Sequence, residues 1–170
     1  MFCMSTSSPT APVLPAELPI EPLNRPVDLD IAVPGSKSIT NRYLVMGALA
    51  EGKVTLSSML RSDDTVFMVE GLKQLGFNVN VDCDARVCDI WGEGGNIPAR
   101  GADIFVGAAG TVMRFLSAFV TLGNGRFRLD GTERMRQRPI EDLLSGLRLM
   151  GVNAFSEFGN HCPPVIVEAD

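Results

Sequence analysis

The chain has 170 residues, enough for one domain with its own core or for part of a larger one. With 15 Lys and Arg against 20 Asp and Glu, its formal net charge is −5, which excludes a general attraction for nucleic acid or an anionic membrane. Any anion site must therefore be assembled from a few individual cations.

Residues 1–26 hold six of the eleven prolines and no basic residue before Arg25. A secretory signal needs a positive start and an apolar run, and a transit peptide is rich in arginine, so this stretch is expected to be a disordered leader and lead-in. No run approaches the roughly 18 apolar residues of a membrane span. The four cysteines (Cys3, Cys83, Cys88, Cys162) form no Cys-x-x-Cys pair, and His161 is the single histidine. That spacing offers no zinc-like site and predicts reduced thiols in a cytoplasmic protein.

After the leader, Val27, Leu29, Ile31 and Val33 alternate as in a strand over residues 27–33. Pro34 stops the run and Gly35 permits an unusual turn. A helix is expected over residues 39–50, with Ile39, Tyr43, Met46 and Ala50 on one face and Gly52 beyond its end. A strand at 54–57 follows. Ser62, Asp63 and Asp64 then read as a cap and first-turn carboxylates of a second helix bearing Met68, Leu72 and Leu75 and stopped by Gly76. Strands at 78–81 and 87–91 close this unit.

The same order returns in the second half. A strand at 103–106 enters the turn Gly107-Ala108-Ala109-Gly110-Thr111, and Val112, Leu116, Phe119 and Val120 form the buried stripe of a helix. A strand at 126–129 precedes Pro139, which suits the first position of a helix carrying Ile140, Leu143, Leu144, Leu147 and Met150. Strands at 153–156 and 165–167 follow. Either this is one βαβαββ unit written twice, 35–100 and 101–170, or two consecutive α/β segments that look alike at this level.

Three clusters of cations or small residues sit at helix starts. The first, Val33-Pro34-Gly35-Ser36-Lys37-Ser38-Ile39-Thr40-Asn41-Arg42, places Lys37, Ser38 and Arg42 where unpaired helix N–H groups favour an anion. It reads equally as a capped surface helix with solvated cations. It is not a Walker A loop, because Ser36 rather than glycine precedes Lys37. The second is the 107–111 turn, whose small residues open backbone N–H groups to a ligand, with Arg114 one turn along. In the third, Arg134, Arg136 and Arg138 alternate ahead of Pro139. If extended they point one way and line one wall for a small anion; otherwise they are a solvated basic run. Asp63 and Asp64 read as helix caps and His161 as a surface turn residue.

Taken in order, Pro-Gly-Ser-Lys-Ser with Asn41-Arg42, Gly110-Thr111-Val112-Met113-Arg114 and Arg134-Met135-Arg136-Gln137-Arg138-Pro139-Ile140 resemble the signatures of the 5-enolpyruvylshikimate-3-phosphate synthase family. The resemblance implies an α/β enolpyruvyl transferase fold of repeated βαβαββ units, of which this chain holds two of the three units of one domain. Residues 27–34 would be a crossover strand and hinge, with the third unit and second domain absent. It implies transfer of an enolpyruvyl group from phosphoenolpyruvate to the 5-hydroxyl of shikimate 3-phosphate through a tetrahedral intermediate that expels phosphate, with no metal and no organic cofactor. Lys37 would act in catalysis and contact both substrates. Gly110, Thr111 and Arg138 would hold phosphoenolpyruvate, Ser38 and Arg42 the shikimate carboxylate, and Arg114 would support the glycine turn.

Ala108 and Phe115 depart from the Asn and Pro common in the family, which leaves sensitivity to glyphosate open. The family's proton-transfer groups and its serines for the substrate phosphate have no match here. The expected partner is thus a complementary C-terminal fragment. The alternative is a non-catalytic anion-binding or assembly module, and the sister enzyme acting on UDP-N-acetylglucosamine is disfavoured by Ser38 and Asn41-Arg42.

Overall fold

The computed structural model describes residues 15–170, which separate into two units divided between Val33 and Pro34. Cys3 and the first half of the expected leader lie outside the described residues. From residue 15 to Val33 the chain forms no helix and joins no sheet. The strand expected at 27–33 is therefore not found. Its side chains alternate as a strand requires, but alternation does not supply a ladder partner, and a strand exists only where its N–H and C=O groups are paired.

The unit from Pro34 to Asp170 contains two successive α/β segments. The first comprises α1 (Lys37–Leu49), β1 (Glu51–Leu56), α2 (Asp63–Gln74), β2 (Asn78–Asp82) and β3 (Val87–Glu93). The second comprises β4 (Gly101–Phe105), α3 (Gly110–Phe119), β5 (Gly125–Asp130), α4 (Glu141–Leu149), β6 (Asn153–Ser156) and β7 (Val165–Ala169). In the first sheet, ordered β1-β3-β2, both pairings are antiparallel, and Val54 and Val79 meet Ile90 from either side. The second sheet is ordered β4-β5-β7-β6, with β4 parallel to β5 and the other pairs antiparallel. Among the described residues no helix is long and apolar enough to cross a membrane.

Ser62 caps α2 as expected: its hydroxyl accepts from the Thr65 N–H, and Thr65 Oγ1 accepts from the Ser62 N–H in return. Met68, Leu72 and Leu75 are buried, as are Val112, Leu116, Phe119 and Val120. On α1 the expectation fails. Ile39, Tyr43 and Met46 are exposed, and the inner face is Thr40, Asn41, Leu44, Gly47 and Ala48. At Gly47 the inner face is small because α1 approaches β3 very closely there: a methyl group on Gly92 would lie 2.3 Å from the Gly47 carbonyl oxygen. Gly35, too, serves proximity rather than an unusual turn. It is not left-handed, and a Cβ there would lie 2.3 Å from the Ser58 carbonyl oxygen. In α4, helix begins at Glu141, two residues after Pro139, and Met150 is exposed beyond its end.

An ionic network holds the second sheet to its loops. Arg128 on β5 donates to Glu157 through Nε and Nη2, to Asp103 through Nη1 (3.2 Å) and to Asp130 through Nη2 (3.1 Å). The Arg128 guanidinium holds the Glu157 carboxyl below the usual range, and Arg136 does the same to Asp130. Because both carboxyls are more acidic when folded than unfolded, their stabilisation is present above about pH 4 and lost as pH falls through the lower folded values. Arg128→Leu is therefore expected to flatten the acid limb of a stability profile followed by circular dichroism between about pH 2 and 5. An acid limb as steep as that of the parent chain would count against the network.

Candidate functional site

Three helix starts converge on one cavity. Lys37 is the first residue of α1, Asp64 lies in the first turn of α2, and Gly110 and Thr111 open α3. With Ala108, Arg114 and Arg138 these residues line a cavity of about 380 Å³. The helices bring them together because α1, α2 and α3 pack against one another in the core. Five of the residues expected at a site, Lys37, Gly110, Thr111, Arg114 and Arg138, thus share one space.

The turn before α3 explains the need for small residues. Gly107 is left-handed (φ +57°), and a Cβ on it would lie 2.3 Å from the Phe67 ring. No side-chain hydrogen bond caps α3, whose first residues Gly110 and Thr111 line the cavity. A methyl group on Gly110 would lie 2.9 Å from Arg138 Nη1. Arg138 Nη1 also donates to the Ala108 carbonyl at 3.3 Å, and Arg114 Nη2 to the Pro139 carbonyl at 3.0 Å. Arg114 thereby ties α3 to the segment that carries Arg138.

Asp64 holds its expected place in the first turn of α2, but sequence reasoning missed that it also lines the cavity, with its Oδ2 3.2 Å from Lys37 Nζ. The capping is done by Ser62, leaving the carboxylate free to face a cation brought from 27 positions away in sequence. Three cations then face one carboxylate, a surplus of positive charge beside uncapped helix N–H groups. Positive charge and helix N–H groups so placed are chemically suited to a small phosphate or carboxylate.

Other expectations are redrawn. Ser36 caps α1, its Oγ accepting from the Ile39 N–H. Ser38 and Arg42 are exposed and do not line the cavity; Arg42 Nη1 donates to the Ser38 carbonyl at 2.9 Å, and its guanidinium stands 5.5 Å from the Phe115 ring centre. The three arginines of the third cluster do not share a wall. Residues Met135–Gln137 form a 3-10 turn, so the period of two that an extended run would impose is lost. Arg136 turns to Asp130, Arg134 is exposed, and only Arg138 reaches the cavity. His161 sits in a turn as expected and its Nδ1 lies 3.3 Å from Glu141 Oε2. Cys83, Cys88 and Cys162 are free thiols, and burial pushes the Cys88 thiol up to about 11.

Fold and cavity together define an α/β protein of two successive segments in which Lys37, Arg114 and Arg138 line one cavity beside helix starts. The chain belongs to the EPSP synthase (3-phosphoshikimate 1-carboxyvinyltransferase) family, whose model matches residues 23–170. Over 133 residues it is 48% identical to a 3-phosphoshikimate 1-carboxyvinyltransferase of Trichormus variabilis, covering 78% of this chain and 31% of the relative. The chloroplastic enzyme of Arabidopsis thaliana is 41% identical over 162 residues, covering 91% of this chain and 31% of the relative. The solved EPSP synthase of Acinetobacter baumannii superposes with a TM-score of 0.75 at 26% identity over 82% of this chain and 32% of that one. The fold is thus that of the enolpyruvyl transferases, and the chain spans about a third of the length of the relatives it matches.

Proposed function

We propose that this chain is the N-terminal part of a 3-phosphoshikimate 1-carboxyvinyltransferase and supplies the phosphoenolpyruvate half of its site. The observation that carries the reading is the shared cavity of Lys37, Gly110, Thr111 and Arg138. Phosphoenolpyruvate brings a phosphate and a carboxylate, and guanidinium forks, an ammonium and free helix N–H groups are the groups that bind both. Ser38 and Arg42, on the adjoining face of α1, would hold the carboxylate of shikimate 3-phosphate. Two polyanions held together repel each other, and fixed cations offset that repulsion while orienting the 5-hydroxyl toward the enolpyruvyl carbon. Phosphate is then expelled from a tetrahedral intermediate.

The remaining groups of the reaction would come from a complementary C-terminal chain. A groove of about 440 Å³ between α1 and the end of α3, lined by Met46, Leu49, Phe115, Ala118 and Leu122 among others, supports such an association, since apolar area of this kind is usually covered. Phosphate release from phosphoenolpyruvate plus shikimate 3-phosphate is the test, with the chain alone and mixed with a synthase C-terminal half. Turnover only in the mixture is expected. Turnover by the chain alone would refute the need for a second chain, and binding without turnover in the mixture would favour a non-catalytic module.

A further inference from the structure

We propose that Asp130 and Arg136, which do not line the cavity, are positioning residues that hold Arg138 over the start of α3. The proposal rests on the reading of Arg138 as an anion ligand. Arg138 itself is weakly held: its guanidinium has one hydrogen bond, at 3.3 Å, to the Ala108 carbonyl. Its pose is therefore set by the backbone that delivers it, the 3-10 turn Met135–Gln137, whose Met135 carbonyl accepts from the Arg138 N–H at 3.0 Å.

That turn is fastened at its middle residue. Arg136 donates to Asp130 Oδ1 through Nε (2.9 Å) and to Oδ2 through Nη2 (2.5 Å), a two-pronged pair. Asp130 ends β5, is 6% exposed, and also accepts from the Gly131 N–H at 2.7 Å and from Arg128 Nη2 at 3.1 Å. The same stretch is stitched to the glycine turn, because the Asp130 carbonyl accepts from the Val106 N–H (2.8 Å) and the Gly107 carbonyl from the Thr132 N–H (3.0 Å). Asp130 thus fastens the Arg136 turn to the end of β5 through its buried carboxylate, while its backbone carbonyl bonds the strand that leads into the glycine turn. A solvated surface pair contributes little, whereas a buried carboxylate shared by two guanidinium groups holds its geometry.

The test is titration of the full chain with phosphoenolpyruvate, followed through the amide signals of Gly110 and Thr111, in Asp130→Asn, Arg136→Gln, Arg136→Lys and Arg138→Ala. Loosening the tie is expected to weaken binding about 10-fold, the low end of what losing one hydrogen bond to a charged group costs. Arg136→Lys should retain part of the affinity, and Asp130→Asn combined with Arg138→Ala should bind no worse than Arg138→Ala alone. Unchanged affinity in both tie variants, or an additive loss in the double variant, would overturn the positioning role and leave the ligand reading intact. Unchanged affinity in Arg138→Ala would instead overturn the ligand reading. Independently of binding, the Arg138 Nε–H signal should broaden or shift in Arg136→Gln, whose substitution lies on an exposed side chain; an unaltered signal would refute the proposal.

Discussion

Replacing Lys37 with Met is expected to weaken phosphoenolpyruvate binding by the assembled protein about 10- to 150-fold, the equivalent of a charge-assisted hydrogen bond worth about 1.5–3 kcal/mol. The upper part of that range is expected, because the substitution also uncovers Asp64. With the ammonium gone from 3.2 Å away, the carboxylate faces the arriving anion directly. Adding Asp64→Asn to Lys37→Met should therefore recover part of the loss, although it restores no donor. Isothermal titration of phosphoenolpyruvate onto the parent and the two variants decides the matter. Unchanged affinity in Lys37→Met would remove Lys37 from the site, and a double variant no better than the single one would show that Asp64 does not repel the ligand.

The second large effect is expected in the core. Leu116 on α3 is fully buried, and a methyl group on Gly71 of α2 would lie 2.5 Å from its Cδ1 and 3.3 Å from Ile104 Cγ2 on β4. Leu116→Ala should destabilise the chain by about 2–5 kcal/mol, the transfer loss plus the cavity left behind. Against a total of about 5–15 kcal/mol for a typical domain, this is a large fraction. Because Leu116 seats α3 against α2, the substitution also loosens the two helix starts that carry Asp64 and Gly110. The measurement is the urea midpoint with its slope unchanged; a midpoint equal to that of the parent chain would refute the packing role.

Much of the fold was legible because its signals are local. Ser62 with the apolar spacing of Met68, Leu72 and Leu75 specifies a capped helix within a dozen positions, and the structure builds that helix with a reciprocal cap. The stripe Val112, Leu116 and Phe119 was legible for the same reason. Residues 27–33 show the limit of local signals, since their alternation is suited to a strand but pairing depends on a neighbour. On α1, periodicity selected Ile39, Tyr43 and Met46 as the inner face, whereas the face that packs inward is Thr40, Asn41, Leu44, Gly47 and Ala48, with Gly47 and Gly92 where α1 and β3 come closest.

The site divides along the same line. Composition and motif spacing determined that the chain has isolated cations and small residues at helix starts, set in two successive α/β segments. Those properties follow from propensity, charge and side-chain size, which each residue carries wherever it is placed. Tertiary structure alone decided which cations act together. It brought Lys37, Arg114 and Arg138 to one cavity, turned Arg136 away to Asp130, left Arg42 against Phe115 and set Asp64 beside Lys37. Coulombic and hydrogen-bond energies depend on distance in space, and three packed helices and one 3-10 turn set those distances here independently of separation along the chain.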